Sequence, residues 1–294
     1  MNQPHAHQRP RPWIFALLLL AGPALAFDVE MAPVTVQDTF TTPASTTVTF
    51  LQPFDTVPVV VTLATNEGGD PANLRITNVT TTGFTLVVTE PPANDGPHVA
   101  MNTAYLAVEP GSHTLPGGGQ LQAYTAQTTA TVSRFSGVSW DSLVFSNAFP
   151  SAPAVLANLQ TMNNEAATPP TTSATPFLAT AIDNVNASGL QFALERAEST
   201  QGAVTVPEVV GIVVMTDGSV TDFFDQGGNP VRLQAARTPD VIRGFSDGCF
   251  SVNWPVPFFW CAPRRGVAEY PRGQQWRLAA ALFRGRQRAW TGRR

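Results

Sequence analysis

The sequence predicts an all-β chain made of two tandem antiparallel β-sandwich repeats and the start of a third. Three observations carry this. First, "VTFLQPFDTVP" (Val48 to Pro58) and "LVFSNAFPSAP" (Leu143 to Pro153) share one pattern, aliphatic-x-aromatic-x3-Phe-x3-Pro. Alternation of that kind puts Val48, Phe50 and Phe54, or Leu143, Phe145 and Phe149, on one face of a strand, and the proline ends the run. Second, "LRITNVTTTGFTLVV" (Leu74 to Val88) aligns with "ATAIDNVNASGLQFAL" (Ala179 to Leu194) at a constant offset of 106, pairing Ile76 with Ile182, Asn78 with Asn184 and Gly83 with Gly189. Each reads as strand, glycine-containing tight turn, strand: a β-hairpin, with the glycine expected to supply the φ > 0 position. Third, "AYLAVEPG" (Ala104 to Gly111) matches "GIVVMTDG" (Gly211 to Gly218) as a closing strand and turn. A repeat at this spacing organises the whole fold and is sought before single elements.

The elements follow in order. Arg9 and Arg11 precede the apolar run "WIFALLLLAGPALA", which closes on Ala24-Leu25-Ala26. That is the pattern of a secretory signal peptide over 1–26, too short for the roughly 20 apolar residues of a spanning helix. The chain is therefore expected to be exported, to start near Phe27 once cleaved, and to carry no membrane span afterwards. Repeat 1 is assigned to 27–120 and repeat 2 to 121–235, about the size of one sandwich domain. After each aromatic pattern comes a continuous apolar run, "VVVTL" and "AVLANL". Such a run is expected of a strand buried on both faces. The second copy carries a Pro/Thr-rich loop, "AATPPTTSATP", and "SHTLPGGGQ" (Ser112 to Gln120) reads as the linker between copies.

A third copy begins within 236–259, because Val252, Trp254 and Phe258 repeat Val48, Phe50 and Phe54 at an offset of 204. It then stops matching. Residues 260–294 hold nine Arg against one acid, Glu269, whereas 27–259 hold six Arg against twenty acids, a formal net of +8 after −14. A reading-frame change near Phe258 accounts together for the lost alternation, the missing acids and the arginines, and the tail is expected to be out of frame and disordered. The rival is a basic arm for phosphates or a membrane surface, with Trp260, Trp276 and Trp290 interleaved. The acidic body itself cannot neutralise phosphates, which excludes nucleic acid as its partner.

Catalytic chemistry has no evident seat. Beyond the leader only His98 and His113 remain, and neither stands at metal-ligand spacing from another His or Cys. There is no G-x-S-x-G elbow and no Cys–His pairing pattern, so neither an enzyme, a metal nor a cofactor is expected. Glu195 and Glu198 read as two solvated charges at a strand end rather than a glycosidase pair. Cys249 and Cys261 both lie late, so no disulfide framework holds the body.

"NLRITNVTTTGFTLVV" followed by "AYLAVEPG" resembles the strand-turn-strand core of H-type lectin domains, six-stranded sandwiches of secreted glycan-binding proteins. "TNVTTTGFTLVVTEPPANDGPHVAMNTAYLAVEPGSHTLP" and "QTMNNE" are more closely similar to repeats of MshQ-type bacterial surface proteins, associated with biogenesis of the MSHA pilus. The resemblance covers about residues 40 to 258. It implies H-type-lectin-like repeats in a non-catalytic, extracytoplasmic surface or adhesion module tied to a pilus or the cell envelope. The alternative it implies is a secreted H-type-like lectin.

Ligand contacts are expected on loops at the sandwich ends, where a stiff scaffold presents acceptors and amides. The candidates are Asn94, Asp95 and His98 in "EPPANDGPH", with Asp70 in the facing loop "NEGGD". The expected partners are glycans or pilus and envelope proteins, with self-association also open.

Overall fold

The computed structural model describes residues 25, 27–36, 45–63, 72–89, 99–133, 137–165, 175–197, 202–225, 230–237 and 279–282. Every regular element among them is a strand. Sandwich 1 packs one three-stranded sheet, in the order β1 (Val29–Val36), β6 (Met101–Val108), β3 (Val59–Thr62), on a second, β2 (Ser45–Thr49), β5 (Gly83–Thr89), β4 (Asn73–Thr80). Sandwich 2 repeats it with β8 (Gln120–Thr128), β15 (Glu208–Met215), β12 (Ala154–Leu159) against β11 (Asp141–Val144), β14 (Gly189–Arg196), β13 (Leu178–Asp183). It adds a small hairpin, β9 (Thr131–Ser133) with β10 (Gly137–Val138), running parallel to the end of β14.

The hairpins form where the repeat predicted. Ile76 stands opposite Leu86, and Ile182 opposite Phe192. Asn78 and Asn184 take the same left-handed backbone, φ 52° and 48°, a conformation that asparagine tolerates better than most residues. The left-handed turn position expected of the glycines is thus held by the asparagines, and Gly83 and Gly189 answer to crowding instead. A Cβ at Gly83 would lie 2.1 Å from the Val48 carbonyl oxygen, and one at Gly189 2.4 Å from that of Leu143. In both copies the neighbouring strand crosses where a side chain would be.

The aromatic pattern differs from expectation in one respect. β2 and β11 end at Thr49 and Val144, one residue before the first phenylalanine. The chain there curls over the hairpin tip: Phe50 and Phe54 donate N–H bonds to Thr82 and Thr81, and Phe145 and Phe149 do so to Ser188 and Ala187. Those bonds aim both rings of each pair into the sandwich, edge to face at 4.9 Å and 5.3 Å between centroids. Phe50, Phe54, Ile76, Phe84, Leu86 and Tyr105 fill sandwich 1, and Phe145, Phe149, Leu190, Phe192, Leu194 and Ile212 fill sandwich 2.

A further core lies outside both sandwiches. Val59, Val61, Leu106 and Val108 on the outer face of the β1-β6-β3 sheet meet Leu121, Ala123, Ala154, Val213 and Met215 on the corresponding face of sandwich 2. Phe223, Val231, Leu233 and Ala235 close over it from the hairpin β16 (Val220–Phe224) with β17 (Pro230–Arg237). All four residues of β3 are buried because one face looks into its sandwich and the other into this shared core. The copies are packed together around apolar surface, the arrangement that removes most of it from water.

Ser112 to Gln120 is not a slack linker. Gly111–Thr114 is strand β7, which leaves sandwich 1 after β6 and pairs antiparallel with β8 of sandwich 2, Gly111 opposite Ala123 and Thr114 opposite Gln120. The tight turn Leu115–Gly119 closes this hairpin, with Gly117 and Gly118 at φ 92° and 90°. β16 does the same one repeat later, leaving β15 to pair with β17. Each copy thus hands its closing strand to the next. Of the third copy assigned to 236–259 only the end of β17 is described, and of the arginine-rich tail only β18 (Ala279–Leu282), which runs parallel to β17. Both cysteines lie outside the described residues.

Candidate functional site

The strand register brings three loops of sandwich 1 to one end. β1 finishes with Val36 opposite Met101, and β3 with Thr62 opposite Tyr105. β2 starts with Ser45 opposite Val87, and β4 starts at Asn73 opposite Thr89, the end of β5. The strand ends that bound 37–44, 64–71 and 90–98 therefore lie at one end of the sandwich. The sequence candidates Asp70, Asn94, Asp95 and His98 all sit on these connections and lie outside the described residues. What the described residues give is their frame. Thr103 Oγ1 donates to the Leu63 carbonyl at 2.6 Å, and Thr35 Oγ1 donates to Asn102 Oδ1 at 2.7 Å. Both bonds pin the feet of the loops.

Sandwich 2 has its own set of polar contacts at the corresponding strand ends. There Glu208, buried at the start of β15, accepts from Thr161 Oγ1, from the Asn164 backbone N–H at 2.9 Å and from Asn164 Nδ2 at 2.7 Å. Asn164 in turn accepts from the N–H groups of Thr205 and Val206 through Oδ1, at 2.9 and 3.0 Å. A buried carboxylate is tolerated when its lone pairs are filled in this way. Glu208 is thus an organiser of the loops at 160–165 and 202–208.

The two loop ends are joined by a buried ion pair. Arg75 on β4 donates from Nε to Glu165 Oε2 at 2.5 Å and from Nη2 to Glu165 Oε1 at 2.7 Å, a bidentate fork with both side chains at 1% exposure or less. The Leu178 N–H also donates to Glu165 Oε1, at 2.8 Å, while its carbonyl accepts from Arg75 Nη2 and from Asn73 Nδ2. Alongside, Asn158 Oδ1 accepts the Thr62 N–H at 2.9 Å, and Gln160 Nε2 donates to the Val60 carbonyl at 2.9 Å. These groups tie the two sandwiches together across β3, β4 and the segment after β12.

Sequence reasoning named none of Arg75, Glu165, Glu208 or Asn164 as site-forming. "QTMNNE" contains Asn164 and Glu165, but nothing in their spacing says that Glu165 reaches an arginine ninety residues earlier. Glu195, expected to be solvated, is instead buried at 7% exposure near the end of β14, where it stands between Ala179 of β13 and Val132 of β9. Glu198 lies outside the described residues. Asn186 uses its side chain locally, accepting from the Ser188 N–H at 2.9 Å and Oγ at 2.8 Å to hold the hairpin tip.

Among the described residues no three His, Cys, Asp or Glu side chains come together as a metal set, and no helix is long and apolar enough to cross a membrane. What the described residues offer is a set of buried polar contacts that ties the two copies together beside these strand ends. Compared with protein-family models, with curated proteins and with solved structures, the chain matches none of them.

Proposed function

We propose that the protein is a non-catalytic extracytoplasmic adhesion module, associated with a pilus or the cell envelope in the manner of MshQ-type repeats. One observation carries the reading: strand ends of the two sandwiches next to their loops are tied to each other by the buried Arg75–Glu165 pair, with the Glu208–Asn164 network beside it. Polar groups spent on fixing a frame suit a binding platform, since recognition residues work best on loops whose feet do not move. The acidic body favours protein or sugar partners over nucleic acid. Asn94, Asp95, His98 and Asp70 remain the proposed contacts.

Two parallel assays on the purified chain test this. Immobilised protein should retain isolated pili or outer-membrane fragments, and Asp95→Ala should weaken that retention without altering the circular dichroism. A glycan array should stay silent. Sugar-specific array binding abolished by Asp95→Ala would replace the adhesion reading with an H-type-like lectin, and retention unchanged by substitutions at all four positions would remove the loop end from the account.

A further inference from the structure

The handing-on of closing strands leaves one place in the described structure where the pattern is incomplete. β7 covers the outer edge of β8, and β16 covers that of β17. The equivalent strand in sandwich 1 is β1, which among the described residues stands at the edge of its sheet with β6 as its one ladder partner. The equivalence can be read residue by residue. Val29 faces Val108 as Leu121 faces Met215. "Leu121-Gln122-Ala123" recurs as "Leu233-Gln234-Ala235".

The backbone of β1 is oriented to accept a strand. The Glu109 N–H donates to the Asp28 carbonyl at 2.9 Å, just as the Thr216 N–H donates to that of Gln120. Alternation then turns the N–H and C=O groups of Val29 and Met31 outward, as those of Leu121 and Ala123 are turned toward β7. Pro33 occupies the next outward position and has no N–H to offer, which confines the open stretch to Asp28–Met31. The side chains agree. Leu121, Ala123, Leu233 and Ala235 are all buried to 2% exposure or less, whereas Val29 and Met31, on the same shared core, are only half-buried.

We infer that the Asp28–Met31 edge of β1 is an acceptor for an extended strand from another polypeptide, added antiparallel as β7 and β16 are, with an apolar residue opposite Phe27 and a cationic residue opposite Asp28. The first requirement follows from Leu115 and Phe223, which both occupy that register and are buried in the shared core. The second follows from charge. Asp222 on β16 forks onto Arg232 at 2.6 and 2.8 Å, and Arg232 holds the position of Asp28. With the acid on the acceptor side, the arriving strand must bring the cation, so β16 of a second copy is a poor occupant. This recognition is β-strand addition, in which main-chain bonds give affinity and alternate side chains give selectivity. It does not depend on the adhesion reading.

The test uses the full chain and labelled peptides copied from Ser219–Phe224, one native and one with D222R. Fluorescence anisotropy should show saturable binding of the D222R peptide, about threefold tighter than the native one. In the Asp28→Arg protein that preference should reverse. Hydrogen exchange should show the amides of Val29 and Met31 fast in the free protein and slowed by peptide. Met31→Pro should weaken binding about fivefold or more, because one donor is lost where Pro33 shows proline to be tolerated. Absence of binding up to about 1 mM peptide, a preference unmoved by Asp28→Arg, or protection arising elsewhere would each overturn the inference.

Discussion

Removing one member of the Arg75–Glu165 pair should cost far more than removing both. In Arg75→Met the Glu165 carboxylate stays at full burial and keeps only the Leu178 N–H as a partner. Leaving a buried charge uncompensated costs about 3–5 kcal/mol, and Glu165→Met should cost a similar amount by stranding the guanidinium. In the double variant no charge remains. The Leu178 carbonyl still accepts from Asn73 Nδ2, so the one new orphan is the Leu178 N–H, worth about 1–3 kcal/mol. The singles together should therefore exceed the double by at least about 3 kcal/mol, a coupling well above the few tenths that separate independent sites. Urea titration followed by circular dichroism measures each value. Two single variants each within about 1 kcal/mol of the native protein, and additive, would mean that the pair is solvated and that the sandwiches do not meet at β4.

Two other outcomes follow from particular atoms. Gly83→Ala and Gly189→Ala should each destabilise by about 2 kcal/mol or more in thermal or urea unfolding, because the added methyl meets a backbone carbonyl that cannot step aside, whereas Gly118→Ala has nothing within 4 Å and should cost only its backbone conformation. Burial, with the hydrogen bond to and the charge of Glu30 adding to it, raises the Tyr105 hydroxyl far above the usual tyrosine range. A group held protonated in the fold and free to ionise when unfolded stabilises below its unfolded pKa of about 10 and loses that contribution as pH rises past it. Ultraviolet titration should thus show one tyrosine that ionises only as the chain unfolds, a step absent in Tyr105→Phe.

Much of the fold was legible because each copy solves the same local problems with the same residues. The asparagine and glycine of each hairpin mark a left-handed position and a close crossing, and the paired phenylalanines mark the cap of each sandwich. The unbroken "VVVT" is covered on both faces as its run of apolar residues suggests, whereas the matching "AVLANL" is only half-buried from Val155 to Asn158. What covers its second face was not legible, since the outer residues of sandwich 2 are apolar for reasons visible only when two sheets are laid together. β7 was missed because "GSHT" carries no hydrophobic alternation and is held by backbone bonds to a strand of the next copy. Arg75 was unremarkable for a similar reason. Between Leu74 and Ile76 it looks like an outward, solvated position on a half-buried strand, and its partner is set by packing alone. For the site itself, sequence identified loops but could not supply their frame, which comes from Glu208, Asn164 and Glu165 acting across sheets.

The shared core and the donated β7 interlock the two sandwiches into one cooperative body. Native-state hydrogen exchange at low urea tests this directly by comparing the slowest amides of β3 with those of β12. The interlocked arrangement requires that they open with the same free energy and the same urea dependence. Exchange from β3 at a clearly lower free energy, with β12 still protected, would show two independent beads and contradict it.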